Sequence, residues 1–304
     1  MEKYTFTVTA AEEGQQLKKL VKSRYHLSSR LMSKIKYQDL LQLNDETVPG
    51  WVTVRDGDTV TVSFPDEESG FPAEDIPIHV LYEDEDLLLI DKQPGVTVHP
   101  TRGHPVHTIA NGLMKYMQDT DQAFKVRFVN RLDMDTSGVL VVAKNSHCQA
   151  DLNRQMSQGR TEKRYTAIAL GSIEEDRFTI DLPIGRPSPD SIVRAVVPEE
   201  EGGFPSVTEV TVLERLGEGD SALTLVDLRL LTGRTHQIRV HLSHIGHPLL
   251  GDPLYGGADP RFPARQALHA RYFACDHPIK KTRLEVEAPP AEDMEALLRT
   301  LREE

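Results

Sequence analysis

Val126-Arg-Phe-Val-Asn-Arg-Leu-Asp-Met-Asp-Thr-Ser-Gly-Val-Leu-Val-Val-Ala-Lys-Asn145 is the stretch on which the reading of this chain turns. Its second half, Gly138–Ala143, is apolar and rich in β-branched residues, the composition of a strand with a place in the core. Its first half crowds Asn130, Arg131, Asp133, Asp135, Thr136 and Ser137 into the eight positions just before that strand. A polar loop anchored by a buried strand is a good place to fix a reactive carboxylate. The same composition also suits a plain turn in which Asp133 and Asp135 only accept bonds from backbone amides, and the residues alone leave both readings open.

Outward from this segment the chain is organised by strands. Strand-like runs occupy Ile78–Leu81, Asp86–Asp91, Tyr165–Leu170, Val207–Leu213 and Leu223–Leu230, and helical patterns fall at Thr108–Met117 and Cys148–Gln158. Residues 292–304, with Met294, Leu297, Leu298 and Leu301, read as a further helix. The expected class is α+β, a mixed, largely antiparallel sheet with flanking helices.

The front of the chain has a different character. Residues 1–65 carry nine Lys and Arg against eight Asp and Glu, net +1, so the other 239 residues hold −13, and the chain as a whole a formal −12. Leu17–Gln38 contains seven basic residues and no acid. Leu17, Leu20, Val21 and Tyr25 recur at helical spacing, and Ser28 or Ser29 can cap a second helix enclosing Leu31, Met32 and Ile35. Lys18, Lys19, Lys22, Arg30 and Lys34 then lie on the outer faces, either as an ordinary solvated surface or as a basic face for phosphates. Runs at Leu40–Leu43, Trp51–Val54 and Thr59–Phe64 read as short strands separated by turns. Asp66–Asp91 reverses the sign, with ten acids and no Lys or Arg, and its first part has the composition of a linker. The expected division is a small module over 1–65, an acidic linker over 66–77 and a larger domain over 78–304.

The composition, 38% hydrophobic and 27% charged, is that of a soluble globular protein, and an overall basic coat for nucleic acid is excluded. Two cysteines provide no disulfide framework and fit a reducing, cytoplasmic setting. Met1–Gln16 has no apolar signal core, and runs such as Leu87–Ile90 are too short to span a bilayer. With no interface signal, a monomer is expected.

Several ordered motifs resemble the RluA-type RNA pseudouridine synthases, over roughly residues 80–290. Arg131-Leu132-Asp133 followed by Thr136-Ser137-Gly138 resembles the family signature. Around it, and in the family's order, stand Asp91-Lys92, Pro94-Gly95 and Val98-His99-Pro100, then Lys163-Arg164-Tyr165 and Gly233–His241. Gly246–Tyr255 and Leu268-His269-Ala270 complete the set. The front end resembles the alpha-L RNA-binding motif first seen in the small-subunit ribosomal protein S-four, with Asn44-Asp45 where that family usually has Asn-Gly. One further departure is Asn130, at a position often held by His.

The resemblance implies an isomerase that detaches uracil from its ribose, turns it, and rejoins it through carbon 5, with no cofactor and with ribosomal RNA, less expectedly transfer RNA, as partner. It makes Asp133 the nucleophile. An Asp with a pKa of about 3.9 is ionised at neutral pH, but burial would raise it, so a buried cation is needed beside it. The resemblance gives that role to Arg239, whose guanidinium can grip a carboxylate through two bonds at once. It places Tyr165 against the target base, and gives Lys163, Arg164 and Arg234 to the RNA backbone. Arg131, beside the nucleophile, either fills the space of a flipped nucleotide or serves as a structural ion-pair residue.

Two other classes compete with this reading. His99, His104 and His107, and His236, His241, His244 and His247, are near enough in sequence to suggest a metal-dependent hydrolase. Ile238, Leu242 and Ile245 already form an apolar helix face there, with Gly246 as a stop, and no spacing matches a zinc signature, so no metal site is expected. A non-catalytic RNA-binding or assembly protein on the same fold would be expected to lose one of Asp133, Tyr165 and Arg239, and all three are present.

Overall fold

The computed structural model describes residues 3–303 except 26, 28, 65–68, 102 and 189, and the side chain of Arg30. The front of the chain runs β1 (Lys3–Thr7), α1 (Leu17–Arg24), α2 (Ser29–Tyr37), β2 (Leu41–Leu43), β3 (Glu46–Thr47) and β4 (Thr59–Ser63). The four strands form an antiparallel sheet in the order β1-β4-β2-β3. Leu17, Leu20 and Val21 of α1, and Met32 and Ile35 of α2, close its own core with Val60 and Val62. Both helices thus bury the apolar stripe that their 3.6-residue period dictates.

Trp51–Val54, expected as a strand, is not one. The Val52 carbonyl, with that of Gly50 just before the segment, is taken by the start of α1, accepting the N–H groups of Leu17 and Lys18 respectively. A helix N-terminus leaves its first amides without intrahelical acceptors, and here this segment supplies them. Trp51 itself is exposed. The Asn44-Asp45 turn has positive φ at both residues, as a tight hairpin turn demands, and Asn44 Oδ1 accepts from Thr59 N–H at 2.8 Å.

The rest of the chain builds one large sheet. Its strands are β5 (His79–Glu83), β6 (Leu87–Lys92), β7 (Arg127–Phe128), β8 (Ser137–Ala143), β9 (Glu162–Leu170) and β10 (Arg177–Asp181). The pair β11 (Ile184–Gly185) and β12 (Ala195–Val196) stands apart; β13 (Val207–Leu216), β14 (Leu223–Leu230), β15 (Leu268–Asp276) and β16 (Arg283–Glu287) complete the main sheet. The order is β10-β13-β14-β9-β15-β8-β6-β5, with β7 beside β8 and β16 beside β15. Every pair is antiparallel except β8 with β15. This is the mixed, largely antiparallel sheet that the sequence predicts.

Helices cover both faces. The α3 helix (Ile109–Asp119) packs Ile109, Leu113 and Met117, and α5 (Gln237–His244) packs Ile238 and Leu242, on the face that carries Leu140, Val142 and Tyr165. The α4 helix (Ser146–Ser157) covers Val139, Val141 and Ala143 on the reverse, and α6 (Glu292–Glu303) packs Met294 and Leu298 against β9 and β14. With alternate residues in two cores, the Val139–Ala143 part of β8 has to be apolar throughout.

Ser69–Pro77, expected as part of a linker, is no free spacer: it runs over α3, where Asn111 Nδ2 donates to Pro72 O at 2.9 Å. Phe71 and Ile76 pack on the main core, and a Cβ on Gly112 would stand 2.9 Å from Ile76. Positions 66–68 of that expected linker lie outside the described residues.

Candidate active site

The loop from Val129 to Thr136 stands where β8 starts beside its one parallel neighbour. Gly138 has φ +108, and a Cβ there would lie 2.2 Å from Ala270 O, so only glycine lets β15 approach this closely. The loop is pinned on all sides. Asn130 donates from Nδ2 to Val139 O (3.2 Å) and accepts Val141 N–H (2.8 Å), so the departure from His supplies a donor and an acceptor to β8. Lys92, fully buried, donates to Met134 O at 2.7 Å and to Gln93 O and Val96 O. Arg265 donates to Asp135 O at 3.1 Å, Gln266 to Thr136 Oγ1 at 3.2 Å, and Ser137 Oγ lies 2.9 Å from His269 Nδ1. Burial pushes the Lys92 ammonium down to about 7, against the opposing charge of Asp135.

Asp133, with 22% of its side chain exposed, opens into a cleft of about 910 Å³, near the top of the 300–1,000 Å³ typical of ligand sites. Its Oδ2 accepts from Arg239 NH1 at 3.0 Å. The two-bond grip expected between these residues belongs to another carboxylate: Arg239 Nε and NH2 donate to Asp252 Oδ2 and Oδ1 at 2.7 and 2.8 Å. The Nε/NH2 fork of Arg239 is spent on a fully buried Asp252, and NH1 makes the one bond to Asp133. Burial opposes the charge on Arg239, but the bonds and charge of Asp252, then of Asp133, raise its pKa above the ordinary value. Asp252 also accepts the N–H groups of Leu254 and Tyr255. Sequence reasoning missed it because Gly251-Asp252-Pro253 reads as turn chemistry; its place inside the Gly246–Tyr255 motif was the available signal.

Strand alternation sorts the Lys163-Arg164-Tyr165 motif. Tyr165 is buried on the cleft wall, and burial, then the Asp133 charge, holds its phenol well above the usual range, so it is neutral. Lys163 also lines the cleft, donates to Thr232 O at 3.1 Å, and is pushed down to about 8 by burial. Arg164 is not brought into the cleft: it donates to Glu162 at 2.6 Å and Asp227 at 3.2 Å. A period of two places neighbours on opposite faces of the sheet.

Arg131 and Arg234 line the cleft. Arg131 is exposed and, among the described residues, forms no ion pair. Arg234 donates to Pro205 O at 3.2 Å, its guanidinium 5.5 Å from the ring centroid of an exposed Phe204. Lys18, Lys19, Lys22 and Lys34 lie on α1 and α2, away from the cleft wall, and the side chain of Arg30 lies outside the described residues. Among the described residues, the histidines of the two sequence clusters do not converge on one site. His241 bonds Thr208 Oγ1 and Leu182 O, His247 bonds Leu170 O, His107 bonds Glu74, and His99 rests edge-on against Phe128. His236, unassigned by the motif reading, stands 3.8 Å from Asp133 Oδ2.

A family model described as RNA pseudouridylate synthase matches residues 86–244, which span β6 through α5 and every residue of the Asp133, Tyr165 and Arg239 cluster. The chain belongs to that family. An RNA pseudouridine synthase of Bacillus subtilis (strain 168), itself described as uncharacterized, is 40% identical over 277 residues, 90% of this chain and 95% of that protein. The ribosomal large subunit pseudouridine synthase D of Vibrio parahaemolyticus is 37% identical over 317 residues, 99% of this chain and 95% of that protein. Among solved structures, human RNA pseudouridylate synthase domain containing 1 is similar with a TM-score of 0.58 at 30% identity, over 76% of this chain and 97% of that one.

As an RNA pseudouridine synthase, the chain is an isomerase acting on RNA. The cleft has the matching electrostatics: Arg131, Lys163, Arg234 and Arg239 line it against Asp133 and Asp135, although the whole chain carries −12. No helix, among the described residues, is long and apolar enough to cross a membrane.

Proposed function

We propose that the protein converts uridine in ribosomal RNA to pseudouridine, with Asp133 as nucleophile, Tyr165 against the target base and Arg239 holding the carboxylate. The observation that carries this reading is the ion pair of Asp133 with Arg239 at 3.0 Å on the wall of a cleft shared with a buried Tyr165. An ionised carboxylate is required whichever atom it attacks, and Arg239 NH1 donates to it at 3.0 Å. A stacked uridine cannot reach Asp133, so the nucleotide flips into the cleft at a cost of a few kcal/mol. Arg131, exposed on the cleft wall and without an ion-pair partner among the described residues, is assigned to the space vacated by that nucleotide. Lys163 and Arg234 are assigned to backbone phosphates, and so is the basic face of α1 and α2, the alpha-L-like module.

Ribosomal RNA is chosen over transfer RNA because relatives such as the Vibrio parahaemolyticus protein are named for the large ribosomal subunit. In keeping with that substrate we assign the protein to the cytoplasm, and we take it as a monomer. RNA labelled with tritium at uridine carbon 5 tests the reading: wild type releases isotope from ribosomal RNA, and Asp133→Asn binds but releases none. Release by both proteins, or by neither, overturns the assignment of Asp133.

A further inference from the structure

Asp133 has two carboxylate oxygens, and the surrounding residues treat them differently. Among the described residues, both groups that approach the carboxylate do so at Oδ2: Arg239 NH1 at 3.0 Å and His236 Nε2 at 3.8 Å. His236 is the N-cap of α5 and holds φ +58, a left-handed conformation uncommon for a residue with a side chain. Such a backbone persists where its surroundings over-determine it, and here it turns the ring toward the cleft wall.

The ring's other nitrogen is also fixed. Nδ1 lies 2.8 Å from Tyr255 Oη, and that oxygen accepts the backbone N–H of Arg194 at 2.8 Å. The Arg194 N–H occupies one acceptor site of the Tyr255 oxygen, and the hydroxyl proton is free to point at His236 Nδ1. The Asp133 carboxylate on the other side of the ring favours the proton of the neutral imidazole on Nε2, which makes Nδ1 the acceptor of the Tyr255 hydroxyl. Tyr255 is itself held: its N–H donates to Asp252 Oδ1 at 3.3 Å, and its ring lies 5.1 Å below the Arg239 guanidinium and 5.7 Å edge-on from His236. Asp252 therefore supports both groups that reach Asp133, Arg239 directly and His236 through Tyr255.

We infer that His236, held as the Nε2–H tautomer by Tyr255, is a positioning residue that clamps Oδ2 of Asp133 together with Arg239 and leaves Oδ1 as the oxygen presented to the substrate. This rests on the reading of Asp133 as nucleophile. At 3.8 Å the His236 contact is longer than a hydrogen bond, and it shortens when a nucleotide fills the cleft, as catalytic contacts commonly do on substrate binding. The groups facing His236 are Asp133 from the loop before β8, Arg239 from α5, Asp252 and Tyr255 from the segment after α5, and Arg194 from the segment before β12. Burial first, and the charges of Arg239 and Arg194 after it, hold the imidazole below its ordinary pKa, while the Asp133 and Asp252 charges oppose this. It works neutral. Protonation in acid adds a full positive charge beside Oδ2, draws the carboxylate into a tighter pair and lowers turnover.

The test is the single-turnover rate of tritium release from carbon-5-labelled ribosomal RNA between pH 5 and pH 8, with RNA affinity measured alongside. His236→Ala lowers the rate about tenfold to a hundredfold, the scale of a misplaced reacting group, with affinity within about threefold of wild type. His236→Gln, whose amide can place an N–H near the Nε2 position but does not titrate, recovers most of the rate and loses the acid limb. Tyr255→Phe keeps the ring under Arg239, removes the proton that fixes the tautomer, and also slows release. A His236→Ala rate within twofold of wild type, or an acid limb unchanged in His236→Gln, overturns the inference. So does a loss that appears only in RNA affinity. Each of these outcomes presupposes an active wild type and an inactive Asp133→Asn, so failure of the underlying reading shows separately.

Discussion

Asp252 and Asp133 share one arginine on unequal terms. Asp252 is fully buried and takes two bonds from Arg239; Asp133 takes one and is partly solvated. Breaking a buried pair strands a charge and costs about 3–5 kcal/mol, whereas a partly exposed carboxylate is partly screened. Asp252→Asn is therefore expected to destabilise the fold by roughly 3–5 kcal/mol and to lower turnover by letting Arg239 turn, although Asp252 touches no substrate. Asp133→Asn is expected to abolish turnover while destabilising by about 1 kcal/mol or less. Urea unfolding of the two variants measures the contrast. Lys92 provides a second prediction. Its folded pKa is about 7 against an ordinary 10.5, so between those values the unfolded chain holds the proton that the folded chain has released. Stability then rises with pH across that window, by about 1.4 kcal/mol per unit from this group. Below pH 7 both states are protonated and the effect is constant. Lys163 acts with the same sign from about 8 upward, so wild type must be compared with Lys92→Met. The difference in unfolding free energy between the two proteins should grow in favour of wild type from pH 7 to pH 9; a constant difference would show that Lys92 stays charged. At this scale Asp133, Tyr165 and Arg239 were legible because the resemblance gives each a role. Asp252 and His236 stand in the quoted motifs without one, because what they do depends on contacts with Arg239, Tyr255 and Asp133, which only the fold brings together.

The β8–β15 pair is the element on which the site depends. In β8 alternate side chains feed two cores, and its first residues meet β15 in the sheet's only parallel contact among the described strands. Gly138→Ala would place a methyl group 2.2 Å from Ala270 O at φ +108, so either the strands separate or the Asp133 loop shifts. A loss of more than about 3 kcal/mol is expected, above the usual range for single substitutions because backbone strain and overpacking coincide. Thermal unfolding measures it, and a Tm within a degree or two of wild type would mean that β15 moves aside freely. Elements with a clean period were legible: the apolar β8, the alternating β14, and α3 with its Thr108–Asn111 capping box. Those without a single period were not. In β15, Leu268–Tyr272 alternates while Tyr272–Cys275 is continuously apolar, so neither a half-buried nor a fully buried pattern runs the length of the strand. Trp51–Val54 failed in the opposite sense, since its β-forming residues serve as acceptors for α1.

At the scale of the molecule, two cores meet at a polar junction. Tyr4 Oη donates to Asp86, and Asn145 Nδ2 donates to both, at 3.0 Å to Tyr4 and 2.9 Å to Asp86, while its Oδ1 caps α4. Tyr25 and Phe64 close on His147 beside it. Charge is divided between these halves as the sequence predicts, with the basic helices on the front core. A chain of net −12 approaches a polyanion favourably only through local cationic surface, and that surface works by releasing counterions. Lys19 and Lys22 are exposed on α1, and Lys22 reaches only Ser29 Oγ at 2.9 Å, so reversing their charge disturbs no ion pair in the described structure. The double variant Lys19→Glu/Lys22→Glu should bind ribosomal RNA more weakly and with less salt dependence. Each phosphate that the variant no longer neutralises lowers the slope of log K against log salt by about 0.7 for single strands and 0.9 for duplex. Titrations of wild type and variant from 50 to 200 mM salt read that slope. An unchanged slope would place the phosphate-binding groups in the cleft alone, with Arg131, Lys163 and Arg234, and would make the front module a structural companion of the catalytic sheet.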